Sequence, residues 1–279
     1  MFVILVIAHK KDISLLKVFN IRETKGTRMK IAVSGKGGVG KTTFSALLIR
    51  MLSDAGKKVL AIDADPDANL AAAIGIENSD RITPIAEMKD MIFERTGAKA
   101  GTIGGFFKLN PKVDDLPDTL SVKKDNIKLM RLGSVKKGGG GCLCPESTLL
   151  KSLVMHIVLL RDEVVVMDME AGIEHLGRAT ASAVDKLIVV VEPGRRSIDT
   201  AAHIRRLAEE IHLTRIAVVG NKIRSPQDEA FIREHLADFD ILGFLPYGNE
   251  LIEADLKGQS PYDVASEAKR RIQEMVEKL

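Results

Sequence analysis

Apolar residues in this chain fall into short β-branched runs separated by longer stretches with helical spacing. The runs Lys30–Ser34, Val59–Asp63, Ile127–Leu132, Val164–Asp168, Leu187–Val191, Ile216–Gly220 and Ile241–Leu245 read as strands. Most have consecutive apolar residues in their interiors, the pattern of strands buried on both faces of a parallel sheet. Helical spacing covers Lys41–Asp54, Glu146–Leu160, Ser197–Glu210, Gln227–Leu236 and Asp263–Lys278. In the last of these Val264, Ala268, Ile272 and Val276 recur every four residues, one stripe that fits a closing helix on the core. The alternation predicts an α/β fold, a mostly parallel twisted sheet with helices on both faces. Two stretches break it. Residues 97–126 are rich in Gly, Pro, Asp and Lys and read as an inserted surface region, and residues 133–145 hold a glycine run at 138–141 followed by Cys142 and Cys144. No internal repeat is evident.

The ends and the composition narrow the picture. Phe2 to Ala8 is an apolar run, but His9, Lys10 and Lys11 follow it, the reverse of a secretory signal. Residues 1–28 therefore read as an extension outside the fold or as a mis-set start, since Met29 stands directly before the first strand; an added edge strand over Phe2–Ala8 is the structural alternative. Residues 29–279 then form one domain, a size that buries a substantial core. The mean hydropathy of +0.04 is that of an ordinary globular chain, and no apolar run reaches the roughly 18 to 20 residues of a membrane span. With a net charge of +3 and 4% aromatic residues, neither nucleic acid nor a membrane is an expected partner. The 2 cysteines are separated by one residue, so a disulfide framework is excluded and the reducing cytoplasm is the expected compartment.

The strongest chemical signal is Gly35-Lys36-Gly37-Gly38-Val39-Gly40-Lys41-Thr42, which fits the phosphate-loop pattern G-x-x-x-x-G-K-[ST] between a strand and a helix. Such glycines let successive N–H groups turn inward as an anion nest at a helix N-terminus. Lys41 is expected to reach the β- and γ-phosphates, Thr42 to ligate Mg²⁺, and Thr43 to join the nucleotide-binding set. Asp63 and Asp65 close the second strand run, on the same side by strand alternation. Asp168 ends Val164-Val165-Val166-Met167, the Walker B form, and is expected near Mg²⁺ through water.

Lys36, two places before Gly-Val-Gly, gives the loop a close resemblance to the deviant Walker A box of the MinD/ParA/nitrogenase-iron-protein class of P-loop NTPases. The resemblance implies a homodimer in which Lys36 reaches the partner's nucleotide as a cation supplied in trans, with catalysis resting on Lys36, Lys41 and Asp65. It also makes the Asp63–Asp67 segment switch I, with Asp65 positioning the attacking water and Asp63 near the hydrated Mg²⁺. Met169-Glu170-Ala171-Gly172 becomes switch II, with Glu170 where the class often has Pro or Gly.

Two further features concern the base and a second metal. Gly220-Asn221-Lys222-Ile223-Arg224 looks like the guanine-reading N-K-x-D, but Arg224 is a donor without an acceptor, so adenine is favoured, with Asn221 and Lys222 at the nucleotide. Cys142 and Cys144 supply half of a four-sulfur shell, and two-fold symmetry would bring a second pair to the axis, giving a Cys₄ site for Ni²⁺ or Zn²⁺.

From Met29 onward the chain resembles the CooC family, the nickel-insertion accessory ATPases of carbon monoxide dehydrogenase. The segments that carry this are Lys30–Thr42, Ile82–Asp90, Leu109–Val113, Lys136-Lys137-Gly138-Gly139, the Cys-Leu-Cys pair, Asp168–His175 and the Asn221-Lys222 strand. The resemblance implies nucleotide- or metal-linked dimerisation, Zn²⁺ or Ni²⁺ at the paired cysteines, and maturation of the dehydrogenase's nickel-iron-sulfur centre. Two other readings stay open: an ATP-gated electron donor like the nitrogenase iron protein, with an interface [4Fe–4S] cluster, and a MinD/ParA-like positioning ATPase.

Overall fold

The apolar runs pair with one another as strands of a single sheet. A computed structural model of the chain describes residues 28–98, 106–133, 144–170 and 183–279. The strands are β1 Lys30–Ser34, β2 Val59–Ala64, β3 Val122–Lys124, β4 Ile127–Arg131, β5 Val164–Met169, β6 Lys186–Val191, β7 Ile216–Ile223 and β8 Asp240–Pro246. They form one 8-stranded sheet in the order β3-β4-β2-β5-β1-β6-β7-β8, parallel except where β3 pairs antiparallel with β4. Strand β1 lies between β5 and β6, so the connections diverge at its carboxyl end. In open α/β sheets that switch point is where ligands bind.

Period-two alternation sends neighbouring residues to two separate cores. Val164 and Val166 of β5 face α1 (Lys41–Asp54), whereas Val165 and Met167 face α5 (Pro145–Leu160) and α6 (Arg195–Glu210). The same alternation in β2 puts Val59 and Ala61 on the α1 side. Asp63 and Asp168 continue those two series, and they are register partners on adjacent strands. Both carboxylates are thereby delivered to the α1 face.

The remaining helices are α2 (Leu70–Ala73), α3 (Lys89–Thr96), α4 (Leu116–Thr119), α7 (Pro226–His235), α8 (Asn249–Leu256), α9 (Pro261–Val264) and α10 (Ser266–Val276). The expected closing helix over Asp263–Lys278 is thus in two pieces, broken at Ala265 (φ −96, ψ 81). The short piece is pinned separately: Ser260 Oγ donates to Ala73 O, and Tyr262 OH donates to Asp54 Oδ2 at 2.8 Å. Its stripe is accordingly offset: Ala265, Ala268, Ile272 and Met275 are buried, and Val264 is exposed.

Within the stretch read as a surface insertion, Val113 and Leu116 are buried, and Val122–Lys124 extends the sheet as its edge. Strand β3 escapes sequence reading because it is short and two of its three residues are lysines. Charge of that kind is what keeps an exposed edge from pairing with other chains. Strand β7 runs beyond the expected Gly220 to Ile223, with a register irregularity against β8 and Lys222 in the left-handed region (φ 60).

Candidate nucleotide site

The phosphate loop leaves β1 and turns directly into α1, whose cap is Gly40 at φ 93. Two glycines have no substitute here. A Cβ on Gly35 would lie 2.3 Å from Val190 O of β6, and one on Gly40 would lie 2.3 Å from Asn221 Nδ2. The loop therefore rests its backbone against β6 on one side and β7 on the other. Val39 is fully buried and anchors its middle. Asn221, 4% exposed, donates from Nδ2 to Val39 O at 2.7 Å. The irregular end of β7 is what aims Asn221 at the loop, a common use of a bulge beside a site. That bond uses one of its two amide hydrogens.

Lys41 opens α1 and is 7% exposed, with Nζ 3.9 Å from Asp65 Oδ2. Thr42 Oγ1 donates to Asp168 Oδ2 at 2.7 Å, and Ser45 Oγ, one helical turn on, donates to Oδ1 at 3.0 Å. Asp63 accepts from Leu70 N through Oδ2 at 3.1 Å, while its buried Oδ1 has no hydrogen-bond partner. The structure thus brings together Lys41, Thr42, Asp63, Asp65 and Asp168.

Burial, and then the facing Asp168 charge, push the Asp63 carboxyl up to about 7. Burial raises Asp168 to about 6 against the pull of Thr42, Ser45 and Lys41. Two carboxyls so destabilised in their ionised form, one with an orphaned oxygen, beside a hydroxyl, form a hard all-oxygen set. That is the donor chemistry Mg²⁺ takes, usually partly through water. The residues fit the ion.

Lys36 points back onto its own chain. Its Nζ lies 3.6 Å from Glu192 Oε1, and Lys222 Nζ lies 3.2 Å from Oε2 of the same carboxylate. Lys222 Nζ also donates to Gly38 O at 2.6 Å. Past the ends of β7 and β8 the Arg224 guanidinium sits over the Tyr247 ring, 4.4 Å from its centroid.

The cysteine pair divides. Cys144 caps α5, its Sγ accepting from Ser147 N at 3.4 Å, with Pro145 at the first helical position. Cys142, residues 134–141, Ala171–His175 of the switch II segment, and residues 1–27 lie outside the described residues. Among the described residues no cluster of three or more His, Cys, Asp and Glu could hold a metal. Glu170 is exposed, and its carbonyl accepts from Ser34 Oγ at 3.3 Å.

Sequence reasoning missed Glu192, Ser45 and the Arg224–Tyr247 pair. Glu192 had the same signal as Asp168, a carboxylate directly after an apolar run, Leu187–Val191 in one case and Val164–Met167 in the other. Ser45 could have been found by adding one helical turn to Thr42.

Residues 30–262 match the family described as the CobQ/CobB/MinD/ParA nucleotide binding domain. The chain is 49% identical to the carbon monoxide dehydrogenase accessory protein CooC of Rhodospirillum rubrum over 239 residues, 85% of this chain and 90% of that one. It is 44% identical to an uncharacterized ATP-binding protein of Methanocaldococcus jannaschii, covering 88% of this chain and 96% of that one. Among solved structures it resembles the MinD cell division protein of Aquifex aeolicus, with TM-score 0.63 and 23% identity, covering 90% of this chain and 95% of that one. The septum site-determining protein MinD of Pyrococcus horikoshii, complexed with Mg-ADP, gives 0.61 at 21%, covering 90% and 95%.

Proposed function

Because this chain belongs to the CobQ/CobB/MinD/ParA nucleotide-binding family and is an ATP hydrolase, we propose that it works as a two-fold dimer that couples ATP to the handling of nickel or zinc for carbon monoxide dehydrogenase. Residues 29–279 are the ATPase unit, and residues 1–28 lie outside it. The loop amides of Gly35, Gly37, Gly38, Val39 and Gly40, with Lys41 and Thr43, hold the triphosphate, and Asn221 and Lys222 lie toward the base. Thr42, Asp63 and Asp168 would hold Mg²⁺, directly or through water, and the ion would supply positive charge to the phosphates. Asp65 turns from Lys41 to orient the attacking water, and Lys36 crosses to the partner's γ-phosphate. Cys142 and Cys144 from both chains enclose one ion as cargo. Thiolate ligands of this kind need a reducing compartment, in keeping with a cytoplasmic protein. Among the described residues no helix is long and apolar enough to cross a membrane.

The observation that carries the coupling is one hydrogen bond. The segment leading to the cysteines leaves β4 beside the nucleotide carboxylates, and Leu132 N donates to Asp63 O at 2.8 Å. Ala86 N in turn donates to Leu132 O at 2.9 Å. A shift of β2 on nucleotide binding would reach the root of the cysteine loop through these bonds. The likeness to the Rhodospirillum rubrum accessory protein supports the dehydrogenase as client.

Metal analysis of anaerobically purified protein tests this reading. Wild type should hold about one nickel or zinc per two chains. Cys142→Ala and Cys144→Ala should each lose it and remain able to bind ATP. One ion per chain, or undiminished metal in both variants, would overturn the shared-site reading.

A further inference from the structure

Glu192 sits immediately after β6, two residues beyond Val190, the residue against which Gly35 is packed. Its place beside the phosphate loop is therefore fixed by the sheet, and its backbone is held as well, Glu192 N donating to Ser197 Oγ at 3.0 Å. Each carboxylate oxygen faces a different cation: Oε1 takes Lys36 at 3.6 Å, and Oε2 takes Lys222 at 3.2 Å. Lys222 is bound a second time, to Gly38 O at 2.6 Å, whereas Lys36 has Glu192 as its one ion-pair partner among the described residues.

We infer that Glu192 is a latch: it holds Lys36 in cis and must release it before Lys36 can complete a partner's nucleotide site. This rests on the trans role given to Lys36 above.

Three features suit a latch and not a permanent brace. Both members are partly exposed, at 37% for Lys36 and 28% for Glu192, so their attraction is screened and weak. Release leaves no stranded carboxylate, because Lys222 remains on Oε2. And the cluster holds two cations against one anion, so Lys36 is the surplus charge, which the triphosphate of a second chain can attract more strongly. The latch sets how readily two chains pair and leaves the chemistry of a formed pair alone. Glu192 is in this account a positioning residue for Lys36.

The test is Glu192→Gln, which keeps the shape and a hydrogen bond to Lys222 while removing the charge. Sedimentation and ATPase rate are followed against protein concentration with saturating Mg-ATP. Two latches open per dimer, so the association midpoint should move about tenfold lower in concentration, if each is worth somewhat under 1 kcal/mol. Aggregation by misfolding would not yield a discrete dimer with a raised ATPase rate, and Glu192→Asp, which keeps the charge, should stay within about twofold of wild type. In a Lys36→Ala background the same substitution should do nothing. An unchanged or weakened association in Glu192→Gln, or the same shift in the Lys36→Ala background, would overturn the latch. If Lys36→Ala itself hydrolyses ATP at the wild-type rate, the trans role fails and the latch with it. If Lys36→Ala is inactive while Glu192→Gln associates as wild type does, the latch alone fails.

Discussion

The two edges of the sheet handle charge in opposite ways. At the amino-terminal edge the Asp118 and Glu163 carboxylates are both answered by cations. Arg161 bridges Asp118 and Glu163, Lys128 bonds the same two carboxylates at 2.6 and 3.2 Å, and buried Lys30 donates to the carbonyls of Arg161 and Glu163 at 2.6 and 2.9 Å. Burial alone would raise Glu163, but the Arg161 and Lys128 bonds outweigh it and hold its carboxyl down to about 2. At the carboxyl edge the carboxyls of Asp63 and Asp168 face each other, both are pushed up, and one oxygen is left without a partner. The same fold, with the same supply of lysine and arginine, neutralises one edge and leaves the other unresolved. Cations at the carboxyl edge are present but turned to other tasks, Lys41 toward Asp65 and Lys36 toward Glu192. Unresolved charge that a ligand can complete is what a binding site needs, and it is held at the expense of stability.

Neutralising one carboxylate at each edge would break the comparison most sharply. Asp63→Asn should lower ATP hydrolysis by about a hundredfold or more, since the charge that meets Mg²⁺ is gone. It should nevertheless raise the melting temperature of the nucleotide-free protein, because a buried like-charge repulsion is relieved. Glu163→Gln should do the reverse, costing about 1–2 kcal/mol in denaturant titration while the ATPase rate per folded molecule is kept. A loss of stability in both variants would mean that the two edges do not differ as described.

A smaller effect appears with pH. Asp63 and Asp168 titrate higher in the folded chain than their unfolded value of 3.8, so their contribution to stability is full below that value and is lost as pH rises toward about 7. Glu163 titrates below its unfolded value of 4.5, so its contribution is present above that pH and is lost as pH falls toward about 2. On the proposed reading Mg²⁺ meets the ionised pair at the carboxyl edge. Its thermal stabilisation of the protein should therefore be clear at pH 8 and small at pH 5.5 by differential scanning fluorimetry. Equal stabilisation at the two values would contradict the raised carboxyls.

The smallest effect concerns the base. Arg224→Ala removes the cation over Tyr247 and should raise KM for ATP by about threefold to fivefold with kcat kept, in line with a partly exposed cation–π contact.

How far the sequence revealed this follows from where each signal lies. The central strands are apolar on both sides, so β1, β2, β5 and β6 could be placed nearly to the residue, and with them Asp63 and Asp168 at the strand ends. The phosphate loop was legible because its glycines are forced, at Gly35 and Gly40, by neighbouring backbone and side chain. Strand β3, with two lysines, and helix α8, in which Ala254 is the buried residue, carry too little apolar pattern to be seen. The break at Ala265 escaped because it comes from tertiary pins on Ser260 and Tyr262. At the site, the motif alone makes Asn221 a base contact. That its amide nitrogen braces the phosphate loop depends on a bulge between β7 and β8, and no local pattern encodes a register shift. Glu192 was overlooked because its meaning lies in two lysines far from it in sequence.

The central claim is that the cation missing from each hydrolytic centre comes from a second copy of the chain. Mixing two inactive variants tests it most directly. Lys36→Ala keeps its own centre but donates no lysine, and Asp65→Asn lacks the residue that orients water but still donates Lys36. An equal mixture forms heterodimers in half of the random pairings, each with one complete centre, so ATPase activity should return to about a quarter of the wild-type value. Activity that stays at the sum of the two separate variants would contradict the account.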